Sequence, residues 1–392
     1  MPHYKYLIIG GGMTADAAAQ GIREVDASGD IGIISMEADT PYNRPPLTKA
    51  LWKGEPLESI WRHTDKQRAQ FHLERKVETL EISSKRVLDA QRNTYTFDKL
   101  LLATGGRPRL MPFANERIIY YRTLADYRRL RALTEEHKRF AVIGSGFIGA
   151  EIAAALAMNR KEVVMIFPGY GICDRIFPRE LSLFVTKYYR EKGVEILAGE
   201  SVTGLEERDG HPFLKTSSGR EVVAEGVVAG IGIQPNVELA EAAGLKVGNG
   251  VAVNEFLQTT NPDIYAAGDV AMFFNPLLGE YIRVEHEDNA NMMGRLAGRN
   301  MAGTSEPYRH LPFFYSDLFD LGYEAVGDLD ARLETFEDWK TPFREGVIYY
   351  LRDGRVRGVL LWNVWGKVDA ARSLISEPGP FQPHQLKGRL GS

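Results

Sequence analysis

Apolar positions along the chain come in short continuous runs punctuated by glycine, and the punctuation repeats. Tyr4 to Ile9 is an apolar run that ends in three glycines, and the alanine-rich stretch Thr14 to Ile22 follows with helical character. That order predicts strand, turn, helix. After a polar turn around Ser28 to Asp30, the run Ile31 to Ser35 predicts a second buried strand and completes a βαβ unit. The segment PYNRPPLTKALW begins with proline punctuation and is expected to become helical after Pro46.

A second copy of the pattern starts at Phe140, where FAVIGSGFIGAEIAAALAMNRKEVVMIF again predicts strand, glycine turn, alanine-rich helix and strand. From Leu311 onward the chain turns aromatic and strand-like, with strands expected over Gly346 to Leu351 and Arg355 to Trp362, which predicts a smaller α+β unit. The last dozen residues read as a loose tail. The fold expected is therefore α/β: two Rossmann-like dinucleotide-binding domains plus a small C-terminal α+β domain. The boundaries expected are 1–112 with 242–309 for the first, 113–241 for the second and 310–392 for the third.

Composition narrows the function classes. Lys plus Arg (48) nearly balances Asp plus Glu (52), so no bulk positive field exists to hold nucleic acid, and runs such as Arg128, Arg129 and Arg131 read as a solvated helix face. The single cysteine, Cys173, excludes an internal disulfide and cysteine-rich metal sites. No apolar run approaches the roughly 20 residues of a membrane span. With the N-terminus running straight into a strand, a cytoplasmic protein is expected.

The two glycine turns carry the chemistry. Gly10, Gly12 and Ala15 have the spacing GxGxxA: the first makes the turn, the second lets backbone approach a pyrophosphate, and the third allows close helix packing. Glu37 follows the second strand, where a carboxylate would accept hydrogen bonds from a ribose. Gly144, Gly146 and Gly149 form the complete GxGxxG. At the matching acidic position stands Gly169, so weak discrimination between NADH and NADPH is expected. Two dinucleotide folds in one chain call for two dinucleotides, and the simplest chemistry makes one a bound FAD and the other NADH or NADPH, which delivers hydride to it. LLLATGG, with Thr104 and Gly105, and DIYAAGD, with Gly268 and Asp269, are buried strands ending in small residues, the second with an acid for a flavin's ribityl hydroxyls.

With these four motifs in order, the chain resembles, over nearly its whole length, the two-dinucleotide flavoprotein family that includes glutathione reductase. In that family's disulfide reductases the corresponding helix carries a CxxxxC pair, whereas here the segment reads PYNRPPLTK and offers no dithiol. RPPLTK, LLATGGRPR, GIQPNVELA, VEHEDNANMMGRLAGRNMAG and YSDLFDLGYEAVGDLD look like the ferredoxin-reductase-like branch, which includes apoptosis-inducing factor. MNRKEVVMIFP and HLPFFYSDLF look as much like monodehydroascorbate reductase. The leader and long C-terminal insertion of animal apoptosis-inducing factor have no counterpart, and no death-signalling role is expected.

The resemblance implies roles residue by residue. Lys49 and Glu151 form an ion pair near the flavin, and Phe147 is an aromatic gate over it. Glu285, His286 and Tyr315 lie against the isoalloxazine. Arg44 and Arg109 contact the flavin pyrophosphate or ribityl chain, and Gly232 contacts bound nucleotide. Cys173 lies outside the flavin-proximal segment and reads as a buried thiol. The implied activity is an FAD-dependent oxidoreductase passing electrons from NAD(P)H to an external acceptor, a ferredoxin-like protein, a quinone or an organic radical. The alternative is a redox-sensing flavoprotein, like apoptosis-inducing factor, that holds NADH in a long-lived charge-transfer complex. A homodimer is left open.

Overall fold

The computed structural model describes residues 1–113, 116–208 and 210–391. Its chain gathers into two compact units. The first comprises Met1–Arg44, Leu57–Arg107 and Gln234–Pro312; the second comprises Pro45–Pro56, Pro108–Ile233 and the chain from Phe313 onward. The nucleotide segment around Gly144 and the C-terminal strands thus share one unit, and the short segment Pro45–Pro56 joins them.

In the first unit the strand His3–Ile9 is central. It pairs in parallel with Ile31–Ile34 on one side and with Thr94–Leu102 on the other, and Ile264–Ala266 adds in parallel to the latter. Ile31–Ile34 is buried at all four positions, as expected for a parallel strand covered on both faces. The helix Met13–Val25 buries Ala15, Ala18, Ala19 and Ile22 against this sheet. The helix Glu287–Met301 lies directly on it, backbone to backbone: a Cβ added to Gly298 would sit 2.1 Å from the carbonyl oxygen of Ala18. Such close packing fixes the start of both helices relative to the glycine turn.

The second unit contains a parallel sheet in the order Glu195–Ala198, Glu162–Phe167, Arg139–Ile143, Gly226–Ala229, Ile118–Tyr120. The helix Phe147–Met158 follows the second glycine turn and is apolar nearly all round, with Ile152 to Leu156 buried. A five-stranded antiparallel sheet runs Phe313–Leu318, Leu321–Gly327, Arg355–Trp362, Glu345–Arg352, Glu334–Thr341. Helix Val368–Ser376 covers it with Ala371, Leu374 and Ile375.

Two local expectations are corrected. The segment after Pro46 is not an α-helix but two single 3-10 turns, Pro45–Leu47 and Ala50–Lys53. The Leu47 carbonyl, which a continuing helix would bond to the N–H of Leu51 four residues on, instead accepts from the Trp52 indole at 2.8 Å and the Tyr121 hydroxyl at 2.5 Å. Nor is the tail loose. Pro383–Leu386 forms a helical turn, Leu386 and Leu390 are buried, and the Leu390 N–H donates to the Tyr349 hydroxyl at 3.2 Å. Among the described residues no helix is long and apolar enough to cross a membrane.

Candidate functional site

In the first unit, Gly10 has φ +118°, and a Cβ there would stand 2.1 Å from the Ala103 carbonyl oxygen, so strand packing alone demands glycine. Gly12 is different. It caps the helix Met13–Val25, and the one protein atom near a Cβ built on it is Nη2 of Arg44 at 3.8 Å. A glycine that no protein atom requires, at a helix start whose first N–H groups lack intrahelical partners, is a cradle for an anion.

Arg44 aims its guanidinium at that cradle and is held there. Its Nη2 donates to Glu37 Oε1 at 2.5 Å and its Nη1 to the Tyr42 hydroxyl at 3.2 Å; Tyr42 in turn donates to Glu37 Oε2 at 2.5 Å. Burial works against the Arg44 charge, but Glu37 and Tyr42 outweigh it and its pKa is raised. Each Glu37 oxygen has acceptor capacity beyond these bonds. Gly268 packs on the same helix start, since a Cβ there would lie 2.2 Å from Thr14 Oγ1, which fixes Asp269 beside the turn.

Arg283, nearly buried, donates to the Asp269 carbonyl at 3.0 Å and pairs with Glu285 Oε1 at 2.6 Å. His286 caps the helix Glu287–Met301. Burial drives its pKa down to about 4 against the pull of Asp269 and Asp288, so the imidazole is neutral at pH 7. Thr104 and Gly105 are fixed by Asn236: its side chain donates to the Thr104 carbonyl at 2.7 Å and its N–H to the Gly105 carbonyl at 3.0 Å.

The second unit repeats the cradle. Gly144, at φ +107°, would place a Cβ 2.4 Å from the Gly230 carbonyl oxygen, and Gly149 would place one 2.2 Å from that of Gly144. Gly146, the helix cap, has nothing within 4 Å of its Cβ direction. Phe147 and Glu151, four residues apart, share one face of the helix. Phe314 and Ser316, two apart, share one face of their strand. The two faces meet: Phe147 lies edge-on to Phe314 at 5.0 Å, and Ser316 Oγ donates to Glu151 Oε1 at 2.6 Å.

Glu151, buried at 4% exposure, also accepts from Thr48 Oγ1 at 2.5 Å and from Lys49 Nζ at 2.7 Å. The Lys49 ammonium stands 5.2 Å over the Tyr315 ring. The structure therefore brings Lys49, Glu151, Phe147 and Tyr315 together in one cluster. Arg109 is exposed and falls in the second unit, where its N–H donates to the Gly232 carbonyl at 2.9 Å. Cys173 is buried, and burial first, then Glu151 and Asp174, push its thiol pKa well up, so it is no ready nucleophile.

Sequence reasoning missed Thr48, Ser316, Arg283 and Asn236. Thr48, Ser316 and Asn236 lie inside motif stretches, but as bonding partners they leave no periodic signal.

Comparison with known proteins agrees with this arrangement. Residues 4–294 match the family described as pyridine nucleotide-disulphide oxidoreductase, and residues 297–342 and 336–377 match the C-terminal domain described for mitochondrion-associated apoptosis-inducing factor. The chain is 35% identical over 416 residues to apoptosis-inducing factor 1, mitochondrial, of Dictyostelium discoideum, covering 95% of this chain and 78% of that one. It is 33% identical over 394 residues to the ferredoxin–NAD(+) reductase component of the anthranilate 1,2-dioxygenase system of Burkholderia cepacia, covering 97% and 96%. Among solved structures, the ferredoxin reductase for the CYP199A2 system from Rhodopseudomonas palustris superposes with a TM-score of 0.90 at 28% identity, over 97% of this chain and 96% of that one.

Two open cradles fit the pyrophosphates of two dinucleotides. The chain belongs to the pyridine nucleotide-disulphide oxidoreductase family, in its ferredoxin-reductase-like branch, as an FAD-dependent NAD(P)H oxidoreductase.

Proposed function

We propose that the protein passes electrons from NAD(P)H through FAD to an acceptor that is not part of the chain, with a ferredoxin-like protein as the first candidate and a quinone or organic radical as the others. One observation carries this reading: two helix-capping glycines open onto space, a Cβ meeting only Arg44 Nη2 at 3.8 Å in one and nothing within 4 Å in the other, in a chain whose single thiol is buried. With no dithiol to relay electrons, reducing equivalents must leave for an outside partner. Bound FAD supplies the conversion between a two-electron hydride donor and acceptors that take electrons singly.

The chain's own residues bind, orient and set charge. Gly10, Gly12, Ala15, Arg44, Gly268 and Asp269 would hold the FAD, with Glu37 taking the adenosine ribose. Gly144, Gly146 and Gly149 would hold NAD(P)H. Lys49, oriented by buried Glu151, would be the cation available to offset negative charge on a bound flavin. Phe147 would cover the site until a nicotinamide displaced it, and His286 presents a neutral imidazole. We place the protein in the cytoplasm, where its lone buried thiol stays reduced.

A screen of acceptors under steady-state conditions tests the reading. Turnover with a ferredoxin-type protein well above that with quinones or monodehydroascorbate supports it; NADH oxidation by none of them overturns it. The C-terminal match to apoptosis-inducing factor favours a second reading, redox sensing. Slow reduction by NADH with a persistent long-wavelength absorption band would select it.

A further inference from the structure

The strand Glu162–Phe167 ends where a dinucleotide fold presents an acid to the adenosine ribose, yet the chain continues Pro168, Gly169, Tyr170. The space is not empty of carboxylate. A Cβ built on Gly169 would stand 2.0 Å from Oδ2 of Asp174, 2.8 Å from its Cγ and 3.1 Å from Oδ1. The Asp174 carboxylate therefore occupies the volume where a side chain at residue 169 would begin. Glycine at 169 is what lets it in.

The loop that delivers this acid is fixed on three sides. Asp174 Oδ2 accepts from the Tyr170 N–H at 3.1 Å. The Cys173 N–H donates at 2.9 Å to the carbonyl of Ser145, the middle residue of the glycine turn, which ties the loop to the cradle. From beneath, Ile172 donates to Thr186 Oγ1 at 2.9 Å and accepts from Ser182 Oγ at 2.8 Å, both on the helix Arg179–Glu191. Cys173 adopts φ +54°, a left-handed conformation that disfavours a residue with a Cβ. Such local strain persists where surrounding bonds over-determine it, commonly at functional sites.

We propose that Asp174 is the ribose-recognising acid of the second nucleotide site and makes the protein selective for NADH over NADPH. This rests on the reading that the Gly144–Gly149 turn receives the nicotinamide nucleotide. A carboxylate accepts hydrogen bonds from ribose hydroxyls but repels a 2′-phosphate of like charge. Of the cations close by in the sequence, Arg179 lies 4.6 Å over the Tyr170 ring and Arg175 is exposed. The weak discrimination expected from Gly169 alone gives way to a preference supplied from five residues downstream.

Holoprotein is titrated with NAD⁺ and NADP⁺ by calorimetry, and kcat/KM is measured with NADH and NADPH. Wild type is expected to favour the unphosphorylated nucleotide by about tenfold to a hundredfold, the scale of one hydrogen bond to a charged group. Asp174→Asn keeps acceptor capacity and should chiefly strengthen NADP⁺ binding, whereas Asp174→Ser should weaken NAD⁺ as well. Combining Gly169→Glu with Asp174→Ala should restore the NAD⁺ preference. FAD content identifies any variant that fails to fold, and Asp174→Asn is the mildest change. A wild-type preference for NADP⁺, or an unchanged ratio in both Asp174 single variants, overturns the proposal. Failure of either nucleotide to bind wild type would instead sink the reading of the turn itself, and the proposal with it.

Discussion

At the scale of single residues, the Glu151 carboxylate is closely constrained. It is buried and bonded to an ammonium and two hydroxyls, so its removal leaves Lys49, at 11% exposure, without its counter-charge. Glu151→Ala is expected to cost about 3–5 kcal/mol of stability, the usual penalty for breaking a buried pair from one side. Lys49→Ala leaves Glu151 its two hydroxyl donors and should be milder in stability. Its effect should fall on rate, slowing flavin reduction by about tenfold to a hundredfold, or roughly 1.4–2.7 kcal/mol. Combining Lys49→Ala with Glu151→Gln should cost less than the sum of the singles, because one ion pair is lost either way. Stopped-flow reduction and urea unfolding measure both effects, and additive rate losses would show that the two do not act together. His286 makes a separate prediction through pH. Its folded pKa, near 4, lies below the unfolded value of about 6.5, so between those pH values the unfolded chain binds a proton that the folded apoprotein does not. The contribution is complete above about pH 6.5 and is lost as pH falls through 4. His286→Gln should flatten the apoprotein's stability profile in that window, and parallel profiles would refute the assignment.

Among the elements, those with a period or a punctuation mark were legible in the sequence. Both glycine turns, the helices after them and the strands around Gly346 and Arg355 follow from runs of apolar residues that end in glycine. What escaped was set by tertiary partners. The turns of Pro45–Leu47 and Ala50–Lys53 exist because Trp52 and Tyr121 claim the Leu47 carbonyl, and no local pattern announces that competition. The Asp174 carboxylate escaped for a similar reason: it fills the volume beside Gly169 from five residues downstream, not at the expected spacing. The C-terminal tail misled through its polar composition, since its anchors are two buried leucines, Leu386 and Leu390, and tertiary bonds such as the Gly388 N–H to Asp338 Oδ2 at 2.6 Å and the Arg389 to Glu377 pair at 2.6 Å. Truncating either to alanine is expected to lower stability by about 2–4 kcal/mol, a large-to-small core substitution, although both lie within seven residues of the chain end. Urea unfolding of Leu386→Ala showing a loss below about 0.5 kcal/mol, the range of surface substitutions, would return the tail to the loose segment its composition suggests.

For the whole molecule, the central feature is that two units carry the same device, each built from its own strand, turn and helix. In both, the first glycine is demanded by packing, while no close protein atom requires the capping glycine. These demands separate experimentally. Gly10→Ala must relieve a 2.1 Å approach to the Ala103 carbonyl at positive φ, so the apoprotein itself should be destabilised. Gly12→Ala and Gly146→Ala meet no such obstacle: the added methyl lies 3.8 Å from the nearest Arg44 atom in one and has no protein atom within 4 Å in the other. Both variants are expected to keep apoprotein stability to within about 0.5 kcal/mol, as substitutions without new contacts do. Their losses should appear only on binding. Gly12→Ala should retain less FAD, while Gly146→Ala should stay fully yellow and weaken NADH binding by about tenfold or more, since the methyl stands where backbone approaches the pyrophosphate. Because each turn belongs to its own unit, the double variant should show the FAD content of Gly12→Ala and, once saturated with FAD, the NADH affinity of Gly146→Ala. Absorbance of retained flavin and calorimetric titration of NADH separate the two readouts. Loss of FAD in Gly146→Ala, or unaltered NADH affinity there, would mean that the second cradle does not receive the nicotinamide nucleotide, and the division of the two cofactors between the units would have to be abandoned.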